Sequence, residues 1–374
     1  MAYVYARQIL SEKQGVQTMK KVILVIFGGV SAEHEISRVS ASYIINNLDE
    51  EKYTVKKLGI TKSGEWFLYD GKTENIADGS WVSDKTNLTP AVISPSGEHH
   101  GLILNPGGTP AKSGIIYIDA AFPALHGKNG EDGTVQGLLT LSGIPFVGCG
   151  TFSSAACMDK VMAKIICERA GVKTLPFVYA LNVSGFDITA FSIRAEESFD
   201  YPMFVKPAGA GSSVGVSKVK HRGEFKDAVL KAFEFDKKVI CEKASSGREI
   251  EVAVLGGEDI LVSGCGEIIP NAEFYDYDAK YINGTAKTVI PAQIPAAAGR
   301  AARETAEKVY RALDCRGLAR VDFFVDGDDV VFNEINTIPG FTPISMYPKL
   351  MFEEGFTAKE LVGALVDSAT EGRL

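Results

Sequence analysis

Lys21–Phe27 (KVILVIF) is an unbroken apolar run closed by Gly28-Gly29, the pattern of a buried parallel strand followed by a tight turn. Ser31-Ala-Glu33-His-Glu35 then opens a helix, with Ser31 as its cap and acids in its first turn. Gly114–Pro123 reads as one further strand, entering the loop His126–Gly133 (HGKNGEDG), and a helix follows over Thr134–Ser142. Strand–loop–helix alternation of this kind predicts a doubly wound α/β domain whose ligands sit at the carboxyl ends of its strands.

Gly148-Cys149-Gly150 marks a boundary. Beyond it the pattern predicts one helix over Ser153–Ala170, the breakers Gly171 and Pro176, and a strand through Tyr201–Pro207. That strand enters the small-residue loop Ala208–Gly215 and leaves it as Val216–Val219, so a hairpin with the loop at its tip is expected. Lys238–Lys243 is another strand, and from Arg248 a larger α+β region carries strands near 250–255, 318–325 and 330–335. The expected fold is therefore α/β and α+β. Residues 1–18 are expected to be a peripheral extension, followed by domains expected over 19–148, 149–247 and 248–374.

Bulk properties narrow the function only slightly. At 374 residues the chain exceeds one ordinary core, and 45% hydrophobic with 23% charged residues is a normal globular balance. A net charge of -8 argues against a broad nucleic-acid face, although loops and a few lysines can still bind phosphates locally. The six cysteines form no CxxC pair, and several lie among apolar neighbours, which reads as buried free thiols in a reducing, cytoplasmic compartment. No apolar run reaches membrane-spanning length, and the N-terminus makes a poor signal peptide.

The most informative segment is 318–340, where two apolar strands flank an Asp-Gly turn. A period of two puts Glu334 and Asn336 on one face, and Asp322 joins them if the connecting loop has an odd number of residues. Three such oxygen donors suit magnesium, while a solvated hairpin edge would leave carboxylates among Val, Phe, Ile and Pro at a cost. Arg320, two residues before Asp322, shares that face; there it can stabilise a developing oxyanion or pair with Asp322.

Other segments are suggestive. The glycines after Lys206 allow close backbone approach and an anion nest, with Lys206 and Lys160 available to phosphates; a plain flexible turn fits the pattern equally. The loop is neither a Walker A sequence nor GxGxxG. It does match GxSxG at Gly211–Gly215, but a nucleophile elbow needs a helix after the turn, and Val216–Val219 reads as a strand. Glu242-Lys243 offers a strand edge to a purine, with Glu249 for ribose hydroxyls, or is a surface charge cluster. Glu273–Tyr281 reads as a polar, aromatic loop that closes over a site.

Taken in order, these blocks resemble the ATP-grasp ligases, and in detail the D-alanine–D-alanine ligase family. The likeness is carried by GGVSAEHEIS (28–37), HGKNGEDGTVQG (126–137), MDK (158–160), VKPAGAGSSVGV (205–216), EK with GREIEVAVL (242–255), YDYDAKY (275–281), RVDFF (320–324) and NEINTIPGFTPISMYP (333–348). It implies a three-domain ATP-grasp architecture and ligation of two D-alanines through an acyl phosphate for peptidoglycan precursors. D-lactate or D-serine remains the alternative second substrate, left open by Pro343-Ile344. The cofactors implied are ATP and two Mg2+ ions on Asp322, Glu334 and Asn336, with Mn2+ as a substitute. ATP would be held by Lys160, Lys206, Ser212, Ser213, Glu242, Lys243, Ser245, Glu249 and Lys280. Glu33 would take the ammonium of the first D-alanine beside His126, with Lys280 and Tyr281 near the substrates. Arg320 and the Gly340 backbone would stabilise the oxyanion. Ser345 and Met346 would line the second site, and Ser212, Tyr281 and Glu33 would form a hydrogen-bonded set. A homodimer is likewise implied.

Overall fold

The computed structural model describes residues 19–107, 114–269 and 287–370. Strands β1 (Lys21–Gly28), β2 (Tyr53–Ile60), β3 (Trp66–Tyr69), β4 (Leu88–Ile93), β5 (Gly101–Leu104), β6 (Gly114–Tyr117) and β7 (Ala120–Pro123) form one sheet in the order β6-β5-β4-β3-β2-β1-β7. Its centre is buried on both faces. Ile23, Val25 and Phe27 pack with Ala41 and Ile44 of the helix His34–Asn47, while Leu24 and Ile26 pack with Val135 and Leu139 of the helix Thr134–Leu141. Only β2-β1-β7 is parallel; the other pairs are antiparallel, so the sheet is mixed.

Two local expectations need correction here. The run 114–123 is two strands: β6 pairs with β5 at one edge and β7 with β1 at the other. Asp119 divides them, its carboxylate accepting from the Val22 N–H at 2.7 Å in place of a ladder partner. The first helix begins at His34, with Glu33 at the cap position, and Ser31 Oγ accepts from the Glu33 N–H at 3.1 Å in a turn ahead of it.

The expected helix over 153–170 is also two, Thr151–Met158 and Lys160–Arg169. Asp159 sits between them in extended backbone and accepts from the Val161 and Met162 N–H groups at 3.0 and 3.1 Å. This side-chain cap starts a second helix and sets Lys160 at its first position.

The central sheet runs β10-β9-β11-β8, built from β8 (Phe177–Leu181), β9 (Met203–Pro207), β10 (Ser217–Val219) and β11 (Lys238–Lys243). β9 and β10 pair antiparallel, Val205 opposite Ser217, so the glycine-rich loop does form a hairpin tip. Met203, Val205, Val239 and Cys241 face the helices Ile188–Ser198 and Arg222–Phe233. Alternation sends Phe204, Lys206, Ile240 and Glu242 to the opposite face, where Ile240 meets Val161 of the helix Lys160–Arg169.

The third sheet runs β14-β13-β12-β15-β16, from β12 (Arg248–Gly256), β13 (Ile260–Ile269), β14 (Lys287–Val289), β15 (Gly317–Asp326) and β16 (Asp329–Asn336). Its inner face, with Ile250, Val252, Val254, Val321 and Phe323, covers the helix Ala296–Ala312. The other face is divided. Ala253, Leu255 and Leu318 join the helix Met346–Glu353 and the first sheet's core, whereas Glu251, Arg320, Asp322, Glu334 and Asn336 border a cavity. All six cysteines are free and buried, as their apolar neighbours suggest. Among the described residues no helix is long and apolar enough to cross a membrane.

Candidate active site

The β15–β16 turn holds only Gly327 and Asp328, because Asp326 pairs with Asp329. An even loop of this kind would set Asp322 opposite Asn333 and turn Glu334 toward the core, so the odd-loop condition fails. The extra residue is supplied inside the strand instead. Phe323 pairs with Phe332 but Asp322 pairs with Glu334, leaving Asn333 as a bulge. Past the bulge the faces exchange, so Phe332 and Ile335 both stay in the core while Glu334 and Asn336 reach the side of Asp322.

Asp322 accepts two hydrogen bonds from Arg320, from Nε at 2.8 Å and Nη2 at 2.7 Å, and one from Asn336 Nδ2 at 3.0 Å. Glu251 lies directly opposite Asp322 on β12, and its carboxylate is 3.1 Å from Arg320 Nε. Three neighbouring strands thus place Glu251, Asp322 and Glu334 in one row, with the Arg320 guanidinium across it. Both proposed readings of Arg320 are compatible with this geometry, since the ion pair to Asp322 holds it at the cavity wall.

Lys160 reaches the same wall from its helix. Its ammonium donates to the Ala210 carbonyl at 2.8 Å and lies 3.4 Å from Glu334 Oε2, tying the glycine-rich loop to the acidic strand. Lys206 lies 2.6 Å from Glu242 Oε2, and Glu242 Oε1 is 2.9 Å from Lys164. The Glu242 carboxylate is fully buried, so the surface-cluster reading does not hold for it. Burial alone would raise its pKa, but the two ammonium groups outweigh burial and hold it at about 2. Burial likewise pulls Lys206 down, and the Glu242 charge more than offsets it, leaving Lys206 above the ordinary lysine value.

The first sheet contributes the opposite wall. Glu33 accepts a short hydrogen bond from Ser212 Oγ, at the tip of the central hairpin. Ser212 and Ser213 both have left-handed backbone, φ 49° and 58°, and a Cβ on Gly211 would lie 2.9 Å from Glu33 Oε2. The loop therefore reaches Glu33 only through residues that tolerate this path. After Ser213 the chain enters β10, not a helix, which removes the nucleophile-elbow reading. His126 is buried; its Nδ1–H donates to the Ile338 carbonyl at 3.1 Å and Nε2 accepts from Ser40 Oγ at 3.0 Å. Both nitrogens are occupied and burial lowers its pKa, so His126 is a neutral tie between the first sheet and the loop after β16.

Apart from Lys164 and Ser40, these groups line one cavity of about 680 Å³, together with Lys243, Ser245, Glu249, Gly340, Ser345 and Met346. Ser345 Oγ is 2.7 Å from Thr342 Oγ1, and a Cβ on Gly340 would meet it at 2.9 Å. Lys280 and Tyr281 lie outside the described residues, so the Ser212–Tyr281–Glu33 set has two of its members here. Three lining or supporting residues escaped the sequence reading: Glu131, Lys164 and Glu251. Glu131 accepts from the Gly127 N–H at 2.7 Å, and burial, reinforced by the Glu33 charge, pushes its carboxyl up to about 8. Lys164 carried a signal, being one helical turn past Lys160. Glu251 sits in register with Asp322, which no local pattern reveals.

The donor set fits a hard cation. Asp322, Glu334 and Asn336 offer oxygen atoms only, and magnesium completes its shell with water and phosphate oxygens. Among the described residues no cage of three or more His, Cys, Asp or Glu side chains occurs, and a phosphate-sharing site needs none.

Comparison with known proteins places the chain in a family. The family described as D-ala D-ala ligase N-terminus matches residues 22–149, and that described as D-ala D-ala ligase C-terminus matches residues 166–367. A D-alanine–D-alanine ligase of Acetivibrio thermocellus is 47% identical, over 94% of this chain and 96% of the relative. D-alanine–D-alanine ligase A of Salmonella typhimurium is 44% identical, over 93% of this chain and 95% of the relative. Among solved structures, the VanG D-Ala:D-Ser ligase of Enterococcus faecalis superposes with a TM-score of 0.86 at 41% identity, covering 94% of this chain and 100% of the other. The D-alanine–D-alanine ligase of Coxiella burnetii gives 0.82 at 32% identity, covering 95% of each chain. With both halves of the family matched and near-complete relatives well above 30% identity, the chain belongs to the D-alanine–D-alanine ligase family and has its ATP-grasp fold.

Proposed function

We propose that this chain joins two D-alanines to D-alanyl-D-alanine at the expense of ATP, in the synthesis of peptidoglycan precursors. The observation that carries the reading is one cavity in which two lysines and a glycine-rich loop face an acidic strand pair. Cations opposite carboxylates are what a polyphosphate with a bound metal requires. The γ-phosphoryl group passes to the carboxylate of the first D-alanine, giving an acyl phosphate and ADP. The amine of the second D-alanine attacks the acyl carbon, the amide forms, and phosphate leaves.

In this reading Lys160 and Lys206 neutralise the phosphates, with the loop's Ser212 and Ser213 beside them. Lys243, Ser245 and Glu249 border the base and ribose, and Glu33 receives the ammonium of the first D-alanine. Arg320 and the Gly340 backbone stabilise the oxyanion, while Ser345 and Met346 border the second amino acid. Asp322, Glu334 and Asn336 would hold two magnesium ions, or manganese in their place, which would supply charge neutralisation to the transferred phosphoryl group. The residues themselves position and exclude water more than they react. The domain division at 148 and 247, a homodimer and a cytoplasmic site of action belong to the same reading.

A second reading rests on the VanG likeness at 41% identity, a ligase whose name pairs D-Ala with D-Ser. One experiment separates them: phosphate release with ATP, D-alanine and, in turn, D-alanine, D-serine or D-lactate as acceptor. Release greatest with D-alanine alone supports the main reading. Release greatest with added D-serine or D-lactate moves the assignment to that acceptor, and no release with any of them overturns both.

A further inference from the structure

Lys164 is one of the most deeply enclosed side chains in the chain, 1% exposed, and it touches no part of the cavity directly. A lysine is seldom buried without a charged partner. Its partner is Glu242, also 1% exposed, at 2.9 Å, and the second oxygen of the same carboxylate is 2.6 Å from Lys206, which does line the cavity. Each carboxylate oxygen thus faces one ammonium group at hydrogen-bond distance, and charge and hydrogen bonding together hold the three groups. The Lys164 ammonium also stands 5.8 Å over the ring of Phe332, the last β16 residue before the bulge.

The charges explain why two lysines are needed. Lys206 and Glu242 alone would form a neutral buried pair, with little positive charge left for an anion. Adding Lys164 gives a group of two positive and one negative charge, net +1. The surplus falls at Lys206, the only member of the two lysines that lines the cavity. Lys164 also competes for the carboxylate, so Lys206 is held in place without being fully neutralised. Its helix begins at Lys160, and one turn separates the two lysines, so a single rigid helix sets both a direct cavity lysine and this indirect one.

We propose that Lys164 is a positioning residue of the nucleotide site, acting through Glu242 to hold Lys206 in place and positively charged toward the phosphates. The inference rests on the reading that Lys206 contacts phosphate. The test uses the full chain and measures binding of magnesium-ADP and of adenosine by calorimetry, with ATP and D-alanine KM values alongside.

Lys164→Met is expected to weaken ADP by about tenfold and raise the ATP KM similarly, with adenosine affinity and the D-alanine KM within about twofold. Lys164→Arg, which keeps the charge, is expected to recover most of the ADP affinity. Unchanged ADP binding in folded Lys164→Met overturns the proposal, and so does an equal loss for ADP and adenosine, the mark of a merely structural role. Should Lys164→Met not fold, Lys164→Gln, which keeps a donor toward Glu242, is read against the same criteria. Lys206→Met serves as reference. If it weakens ADP while the Lys164 variants do not, only the present inference falls; if Lys206→Met itself leaves ADP unchanged, the phosphate reading falls with it.

Discussion

Asp322 stands opposite Glu334 across β15 and β16 because Asn333 is bulged out beside them. One inserted residue exchanges the two faces of the strand, and it does so where the strand passes from packing to chemistry. Deleting Asn333 leaves Phe332 opposite Phe323 and Glu334 opposite Asp322 in an unbroken ladder, so Glu334 and Asn336 keep the face of Asp322. The deletion is therefore expected to retain D-alanine-dependent phosphate release without a large loss of stability, and loss of release in a folded deletion variant would show that the bulge itself shapes the site. Thermal unfolding and the phosphate assay read both.

Glu334→Gln leaves shape and register intact and removes one charge. D-alanine-dependent phosphate release is expected to fall at least ~100-fold, the scale of losing one strong electrostatic contact in a transition state. Circular dichroism and unfolding should match the parent, and turnover near the parent's would sink the metal assignment.

Glu251 lies 3.1 Å from Arg320, so its effect should appear in the chemical step. Glu251→Gln is expected to lower kcat by about tenfold with a smaller change in ATP KM, since misplacing Arg320 weakens only the charge that develops. Glu251→Asp should recover part of the loss. An increase in KM at constant kcat would contradict this assignment.

Burial and the Glu33 charge raise Glu131 from its ordinary 4.5 to about 8, and the sign of the pH effect follows. Below about 4.5 folded and unfolded chains both carry this proton. Between the two values the unfolded chain has lost it and the folded chain keeps it, so this group makes stability fall as pH rises, until about 8. Unfolding midpoints of the parent and Glu131→Gln, compared from about pH 5 to about pH 9, should therefore converge toward low pH and diverge toward high pH. Parallel curves would show that Glu131 ionises normally.

Gly215 has φ +72°, and a Cβ there would lie 2.6 Å from Phe235 Cδ2 and 2.8 Å from Pro207 Cγ. Gly215→Ala is expected to cost about 1–2 kcal/mol for the left-handed backbone alone. Because Gly215 closes the loop that carries Ser212 to Glu33, ATP KM should rise as well, while Gly363→Ala, inside the helix Ala358–Thr370 with open space around its Cβ, should leave ATP KM unchanged and raise stability by about 0.5–1 kcal/mol.

Local pattern alone determined much of this protein. The apolar run at 21–27, the hairpin around Ala208–Gly215 and the strands at 248–256, 317–326 and 329–336 are written in short-range periodicity, because burying one face of an extended chain requires a repeat of two. The family blocks likewise named most of the residues that line the cavity. What periodicity could not supply was any feature set by a distant partner. The bulge at Asn333 depends on what lies across the sheet, whereas the break at Asp159 is a local cap that the periodicity passed over. The inward turn of Glu242 depends on a lysine 78 residues earlier in the chain, at 2.9 Å. Glu251 and Asp322 gain meaning only as neighbours in a ladder. Asp322, Glu334 and Asn336 were thus visible as candidates in the sequence, but the register that makes them one site is fixed by tertiary packing, which keeps both Phe332 and Ile335 in the core.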